Sequence, residues 1–494
     1  MKRNKFSLSH YHLLTCDMGK LVPCGVTEVL PGDTIQHASS MLIRTTPLLA
    51  PMMHPVEVKV HHWFVPHRLV WDDWEKFITG GPDGMDASVF PTISSGAGFN
   101  VGTLADYLGI CNNVASLDVS ALPFRAYQLI FNEWYRDQDL VTEAAISRAS
   151  GADVTTSVTL QAPAWQKDYY TTARPWPQKG PDITLPLGTE APVLLDPGAT
   201  NAGQSRVAAT HALSATNGIF SNAGTFEVGS PGVASVYDPN GTLIADLSGA
   251  SAASINELRM AFSLQRFQEA RARYGSRYTE YLRYLGVRSS DSRLQRPEYL
   301  GGGKQMLQIS EVLQTGVTTS GATGGVGNLT GHGIGAMRSN RYRRFFEEHG
   351  YIISLLYVMP RTMYAQGVPR TFNRRVKEDF FQKELVHIGQ QEILNKEVYA
   401  PHASPDGTFG YQDRYDEYRR MESQIHGQFR GTQFNMWHMA RIFSSSPSLN
   451  STFITGNPTN RVYASTTVNQ LQIMVNHSMQ ARRMLPKAGT SFAI

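Results

Sequence analysis

The stretch Val56-Glu-Val-Lys-Val-His-His-Trp-Phe-Val-Pro66 decides the fold class of this chain. Every second residue of an extended strand points to the same face, so the apolar Val56, Val58 and Val60 share a face with His62 and Phe64. The residues between them, which include Glu57 and Lys59, share the opposite face. Pro66 lacks an N–H group and ends the ladder. The pattern therefore predicts a β-strand with two unlike faces.

The residues after this strand predict a short amphipathic helix. Trp71, Trp74 and Phe77 alternate with acidic residues, and Gly80-Gly81 provides a helix stop. We expect Trp63 and Trp74 to pack in the core or at a subunit interface, because nothing in this region has the spacing of a reaction centre.

Other segments carry equally local signals. Pro-Gly turns separate short β-prone runs over residues 1–65, as in a jelly roll or sandwich. A helix is predicted to start at Pro123, and a longer one over Ser254 to Leu285 carries an apolar and aromatic stripe beside several arginines. The stripe is typical of core or interface packing, although Arg beside Tyr could also hold single-stranded DNA. The apolar run Tyr351 to Met359 predicts a buried strand.

Several motifs of this chain occur together, and in the same order, in one family. The sequence resembles the major capsid proteins of small single-stranded DNA phages, the Microviridae, and within them the gokushovirus-like branch. The residues that carry the resemblance are Ser9-His-Tyr, Thr15-Cys-Asp-Met-Gly19, Val29-Leu-Pro-Gly-Asp33, Pro47-Leu-Leu-Ala-Pro-Met-Met-His-Pro55, Leu122-Pro-Phe-Arg-Ala-Tyr127, Asn132-Glu-Trp-Tyr-Arg-Asp137 and Leu294-Gln-Arg-Pro-Glu-Tyr-Leu-Gly-Gly302.

The resemblance implies an all-β core, a single eight-stranded jelly-roll β-sandwich with long helical and loop insertions. Residues 1–170 and 251–494 would build this core and its helices, and 171–250 would be inserted between them. The family forms T=1 icosahedral shells of sixty copies around a circular single-stranded DNA genome. The resemblance also implies a minor virion or pilot protein, an internal scaffolding protein and a host cell-surface receptor as further partners, with the host cytoplasm as the place of assembly.

Residues 171–250 differ from their surroundings in composition. They are poor in charge and rich in Gly and Ala, with turn signals at Asp196-Pro-Gly, Ser230-Pro-Gly and Asp238-Pro-Asn-Gly241. Such a segment is typical of functional surface, with disorder as the alternative. By resemblance it forms an exterior protrusion with a role in host attachment. The glycine-rich segment Thr315 to Gly335 is interpreted as a linker.

Composition agrees with a large assembling protein. The chain has 494 residues, of which only 17% are charged, with 43 Gly, 26 Pro, 21 Tyr and 22 Phe. Such a chain is turn-rich, aromatic and extensively buried, partly by neighbouring copies. We find no apolar run long enough to span a membrane and no export segment. The three cysteines have no metal-ligand spacing, which favours reduced thiols in a cytosolic compartment.

Basic residues near the two chain ends are the candidates for contact with DNA. The formal net charge is only +4, but both ends carry cations with no acid close in sequence. Flexible, unpaired cations can meet phosphates without reading a base sequence, although plain solvated tails have the same composition. The candidate nucleic-acid-binding residues are Lys2, Arg3, Lys5, Arg482, Arg483 and Lys487. The basic segment Arg259 to Lys304 is the next candidate.

Searches for catalytic and metal motifs give no catalytic residue, no cofactor and no metal site. The histidines His54, His61, His62 and His67 cluster in sequence, but adjacent strand residues point to opposite faces. Two other classes of protein remain as rivals to a capsid protein. A carbohydrate-binding β-sandwich surface protein would use the many Trp and Tyr side chains, and a β-rich hydrolase would need paired carboxylates or a nucleophile.

Overall fold

The computed structural model describes residues 3–83, 85–181, 183, 193–195, 243–245, 255–274, 283, 294–316 and 327–487. The chain divides into two compact units, one of residues 1–179 with 269–494 and one of residues 180–268. The described residues are mostly β-sheet. None of their helices is long and apolar enough to cross a membrane.

The strands, in chain order, are β1 (Asn4–Ser7), β2 (His10–Cys16), β3 (Val22–Val29), β4 (Thr34–Thr45), β5 (Val56–Pro66), β6 (Thr92–Ser94), β7 (Asp118–Ser120), β8 (Val193–Leu195), β9 (Leu243–Ala245), β10 (Glu298–Met306), β11 (Gln308–Leu313), β12 (Leu329–Arg338), β13 (Tyr342–Phe345), β14 (Gly350–Pro360), β15 (Gln390–Leu394), β16 (Thr408–Asp413) and β17 (Leu471–Arg483). The α-helices are α1 (Trp74–Thr79), α2 (Leu104–Tyr107), α3 (Leu122–Ile130), α4 (Ile255–Tyr274), α5 (Asn395–Val398) and α6 (Ser451–Ile454). A π-helical turn follows α3 at Phe131–Tyr135, and 3-10 turns lie at His67–Leu69, Arg370–Phe372, Lys377–Asp379, Lys383–His387, Asp416–Tyr418, Gly427–Arg430 and Asn435–Trp437.

Two antiparallel sheets in the first unit form a sandwich. The larger sheet has seven strands, with β1 and β2 both paired to β17, β17 paired to β4, β4 paired to β12 and β13, and β12 paired to β11. The smaller sheet has four strands in the order β10-β5-β14-β3. The predicted predominance of β-sheet is therefore confirmed, and the two antiparallel sheets are compatible with the predicted sandwich.

The main hydrophobic core lies between the two sheets. Ile43 and Ile473 of the larger sheet belong to one buried cluster with Val58, Val60 and Leu356 of the smaller sheet. These side chains have the period-2 spacing of strands with one face inward. The sandwich is thus held together chiefly by apolar burial between its sheets.

The opening stretch forms β5 as predicted, but both of its faces are buried. Val58 and Phe64 point toward the larger sheet, while Trp63 and Val65 belong to a second core cluster on the other side of the sheet. The helix α3 covers that side. The unlike faces of β5 therefore reflect two different cores.

Three further local predictions are confirmed, whereas residues 329–335 of the predicted linker Thr315 to Gly335 belong to strand β12. The helix α1 ends at Gly80, whose φ of 83° is the left-handed conformation that glycine adopts most easily. The helix α3 begins next to Pro123 and buries Phe124 and Tyr127. The apolar run bounded by Gly350 and Pro360 is β14, and it is buried along most of its length.

The helix α4 is the described part of the predicted segment Ser254 to Leu285. Ser254 and residues 275–282, 284 and 285 lie outside the described residues. Its apolar stripe is exposed on the isolated chain, with Met260 at 73% and Leu264 at 46% of full exposure. Most of the predicted insertion 171–250 and residues 317–326 of the predicted linker also lie outside the described residues. Within 171–179, Ala173 is fully buried in the first unit.

Candidate nucleic-acid interface

The two ends of the described chain meet on the larger sheet. Strand β1 pairs antiparallel with the last residues of β17, so that Lys5 lies directly opposite Arg482 and Asn4 opposite Arg483. Predicted basic residues from the two ends of the chain, Lys5 and Arg482, are therefore direct neighbours on the sheet. No sequence spacing could reveal this, because the pairing joins opposite ends of the chain.

Lys5 and Arg482 point away from the core. Both side chains are exposed, and neither forms an ion pair or a hydrogen bond with any residue that the structure describes. Directly opposite strand residues have Cβ atoms about 5 Å apart. Two like charges at that distance repel each other, so an anion that bridges them would be favoured.

Arg3 is held at the end of the same sheet. Its guanidinium donates hydrogen bonds to the carbonyl oxygen of Gly32 at 3.2 Å and to Oγ1 of Thr34 at 3.0 Å. The guanidinium carbon also lies 5.5 Å from the ring centre of Phe345. Neither partner is a carboxylate, so the full positive charge of Arg3 remains available at the surface.

Arg483 differs from the other candidates because the fold gives it a carboxylate partner. Its Nε atom lies 3.0 Å from Oδ2 of the buried Asp33, and its Nη2 donates to the carbonyl oxygen of Glu28 at 2.7 Å. Burial raises the pKa of Asp33, and the hydrogen bond from Leu30 and the charge of Arg483 act in the opposite direction. Arg483 therefore pins the end of β17 to the β3–β4 turn.

The structure says less about the other two candidates for contact with DNA. Lys487 is exposed beyond the end of β17. Lys2 lies outside the described residues. DNA contact through any of the six residues remains a prediction.

Three further cations share the outward face of the larger sheet and were not singled out from the sequence. Arg44, Arg338 and Arg343 are exposed on β4, β12 and β13. On β12 every second residue from Gly331 to Met337 is buried and the residues between them are exposed, which places Arg338 on the outward face. What the sequence does not show is that β4, β12 and β13 are neighbours.

Three of the four histidines that cluster in sequence are hydrogen-bonded to separate groups. The ring of His61 bonds to the hydroxyl of Tyr135 at 2.7 Å on one side of the smaller sheet. The ring of His62 bonds to Oγ of Ser354 at 2.8 Å between the sheets. His54 bonds to the carbonyl oxygen of Arg361. Their ring nitrogens are aimed at separate partners.

A different histidine group comes together in space, namely His10, His12 and His477. One ligand atom from each lies within 4.8 Å of the others. However, His477 Nε2 is 2.8 Å from the carbonyl oxygen of Cys24 and His477 Nδ1 is 2.9 Å from Nε2 of His37, so both nitrogens are committed. The rings of His10 and His477 are stacked with an interplanar angle of 24°, so their in-plane lone pairs do not converge. The group does not offer a metal three converging ligands.

Comparisons with known proteins cover nearly the whole chain. The family model for the phage capsid protein (F protein) matches residues 1–493. Capsid protein VP1 of Bdellovibrio phage phiMH2K is 40% identical, over 92% of this chain and 88% of that protein. Capsid protein VP1 of Chlamydia phage 1 is 33% identical, over 94% and 91%, and that of Spiroplasma virus 4 is 32% identical, over 92% and 87%.

Proposed function

Because this chain belongs to the phage capsid (F protein) family of the Microviridae, we propose that sixty copies build a T=1 icosahedral shell around a circular single-stranded DNA genome. The chain is a major capsid protein, a component of the virion and not an enzyme. The relatives do not favour the carbohydrate-binding alternative. The observation that carries the proposal is the match over residues 1–493. Identical subunits with self-complementary surfaces associate into closed symmetric shells.

We propose an eight-stranded jelly roll as the building block of the shell. The order of strands supports it. If β2, β3, β4, β5, β10, β12, β14 and β17 are counted one to eight, the first pairs with the eighth, the second with the seventh, the third with the sixth and the fourth with the fifth. This nested pairing is the pattern of a doubled Greek key. The short strands β1, β11 and β13 extend the larger of the two sheets.

The insertion 171–250 is proposed to form an exterior module for host attachment. Its low charge and repeated turns support a surface role, and the assignment of residues 180–268 to a compact unit of their own supports a separate module. Replacing residues 184–250 by a short Gly/Ser linker should leave assembly intact and abolish binding to host cells. This replacement keeps Ala173 and Lys179, which pack in the first unit. Unchanged adsorption of such particles would exclude the attachment role.

The remaining partners follow from the same proposal. The basic residues Lys2, Arg3, Lys5, Arg482, Arg483 and Lys487 would contact the genome inside the shell. A scaffolding protein and a minor virion or pilot protein would assist assembly in the host cytoplasm, and a cell-surface receptor would meet the exterior. None of these steps requires a cofactor or insertion into a membrane.

Co-expression with a scaffolding protein, followed by negative-stain imaging and mass measurement, tests the shell. Uniform closed particles of sixty copies are expected. A persistent monomer or small ring under those conditions would exclude the proposed function. A monomer that binds glycans would instead support the carbohydrate-binding alternative.

A further inference from the structure

The outward positions of the larger sheet form one continuous surface, which we call the basic face. It consists of the outward residues of β1, β2, β4, β12, β13 and β17. Strand register places Lys5, Arg482, Thr34 and Phe345 in one row across four strands. Tyr11, Asn476, Ser40 and Arg338 form another row further along the sheet.

The charge of the basic face has a single sign. Its exposed cations are Lys5, Arg44, Arg338, Arg343 and Arg482. None of them has an ion pair or a side-chain hydrogen bond among the described residues. No outward position of these six strands is Asp or Glu. Surface cations usually alternate with acids, so an unneutralised group of this kind points to an anionic partner.

The cations are spread along the whole length of β4. Arg482 lies beside Thr34, Arg343 beside Gln36, and Arg338 beside Ser40, while Arg44 lies near the end of the same strand. At about 3.3 Å per residue, the charges are spaced by about 7 and 13 Å and extend over roughly 33 Å. A small anion would need cations close together around it. The observed spacing instead suits a long polymer with regularly repeated charges.

The basic face also exposes aromatic and apolar side chains between its cations. Tyr11 is 70% exposed and Phe345 is 49% exposed. Leu13, at 86% exposure, pairs with Met474, which itself lies opposite Leu42. Aromatic rings on a positively charged surface stack on unpaired bases, whereas the base faces of a duplex are already stacked on one another. The composition therefore favours a single strand over a duplex.

We propose that the basic face binds single-stranded nucleic acid without sequence preference, with Arg44, Arg338 and Arg343 on the phosphates and Tyr11 stacked on a base. The inference rests on the proposed function for the source of the strand, since an encapsidated single-stranded genome would be the natural occupant. It adds a binding surface that extends from the paired chain ends across the sheet. A second copy of the chain is the competing occupant of this face.

Binding of a fluorescent oligothymidylate to the purified chain over a salt series tests the phosphate contacts. The variant R44Q/R338Q/R343Q leaves the terminal residues untouched. Each phosphate contact on a single strand contributes about 0.7 to the slope of log affinity against log salt, so this slope should fall by about 2. The matched control is K167Q/R361Q/R375Q, which removes three exposed cations elsewhere and should keep the wild-type slope.

The variant Tyr11→Ala tests base stacking separately. It should weaken binding roughly 5- to 150-fold at a single salt concentration and leave the salt slope unchanged. Because Tyr11 is exposed, the thermal midpoint of the variant should match that of the wild type. An unchanged affinity would show that Tyr11 does not stack on the bound strand.

Particle imaging of the same variants separates the inference from the proposed function. An unchanged salt slope in R44Q/R338Q/R343Q overturns the inference, whether or not the variant forms particles. If that variant keeps its slope but fails to assemble, the basic face contacts another copy of the chain. Failure of the wild type to form particles would count against the shell, while binding of the oligonucleotide is measured independently of assembly.

Discussion

The ring nitrogen Nε2 of His37 lies 2.9 Å from Nδ1 of His477 in the core of the sandwich. Nδ1 of His37 is 3.1 Å from the hydroxyl of Tyr342, and Nε2 of His477 is 2.8 Å from the carbonyl oxygen of Cys24. The carbonyl can only accept, so His477 donates from Nε2. With both rings in the neutral form that burial favours, His477 accepts at Nδ1, and His37 donates from Nε2 and accepts from Tyr342.

The first prediction is that acid destabilises the unassembled subunit. Burial, followed by the neighbouring histidines, lowers the pKa of His37 to about 3, and burial lowers that of His477 to about 4. Burial also lowers the pKa of His62 well below its usual value. The unfolded chain binds these protons near pH 6.5 and the folded chain does not. The contribution of these histidines to the free energy of unfolding is therefore fully present above pH 6.5, and it is lost as the pH falls toward 4.

Urea unfolding at a series of pH values measures this loss. Each buried histidine whose pKa is lowered in this way contributes up to about 1.4 kcal/mol per pH unit to the slope below pH ~6. His37→Asn should lower the slope by about that amount. His426→Gln is the control, because His426 is exposed and its replacement should leave the slope unchanged. A free energy of unfolding that is constant between pH 7 and 5 would contradict the prediction.

The second prediction concerns the ion pair between Arg125 and Asp153, whose side chains are both fully buried and lie 2.7 Å apart. Arg125 also donates to the carbonyl oxygens of Val70 and Ala149. Burial acts to raise the pKa of Asp153, but hydrogen bonds from Thr156 and Arg125 hold it below its usual value. Asp153→Asn would leave a buried guanidinium without its countercharge and should cost about 3–5 kcal/mol of unfolding free energy.

Lys76→Ala is the matched control for this pair. Lys76 lies 3.2 Å from Asp73, but its side chain is 64% exposed. An exposed pair of this kind contributes less than about 1 kcal/mol. Equal losses in the two variants would show that burial of the Arg125–Asp153 pair is not what makes it important.

The elements that sequence patterns predicted are those determined by local periodicity. The strands β5 and β14 and the start of α3 at Pro123 follow from alternation, apolar runs and helix signals within a dozen residues. The pairing of β1 with β17 depends on contacts between opposite chain ends, and no local pattern encodes it. The His37–His477 contact also joins residues that are far apart in sequence. The ion pair of Arg483 with Asp33 does the same, and the sequence near Arg483, which contains no acid, gave no reason to expect it.

The third prediction separates two tryptophans that the sequence treats alike. Trp63 is 4% exposed and its indole donates to the hydroxyl of Tyr135 at 3.0 Å. Trp63→Ala should cost about 3–5 kcal/mol. Trp74 is only partly buried and packs at 4.6 Å, between ring centres, against His67. Trp74→Ala should cost less than about 2 kcal/mol in the unassembled subunit, by urea unfolding. A similar loss for both would mean that exposure does not distinguish their roles.

The fourth prediction distinguishes Arg482 from Arg483, which are neighbours in sequence. Arg483→Gln leaves the buried Asp33 without its cation and should lower the free energy of unfolding by about 1–3 kcal/mol. Arg482→Gln removes an exposed, unpaired charge, so its unfolding free energy should stay within about 0.5 kcal/mol of the wild type.

Binding to single-stranded DNA should show the opposite order. Arg482→Gln should lower the salt slope by about 0.7, because a phosphate contact is lost. Arg483→Gln should change that slope less, since its guanidinium is engaged with Asp33 and the carbonyl oxygen of Glu28. Measuring urea unfolding and the salt series on the same two proteins provides an internal control for each. If Arg482→Gln is the less stable variant, or if both variants bind DNA with the wild-type slope, the assignment of these two residues is wrong.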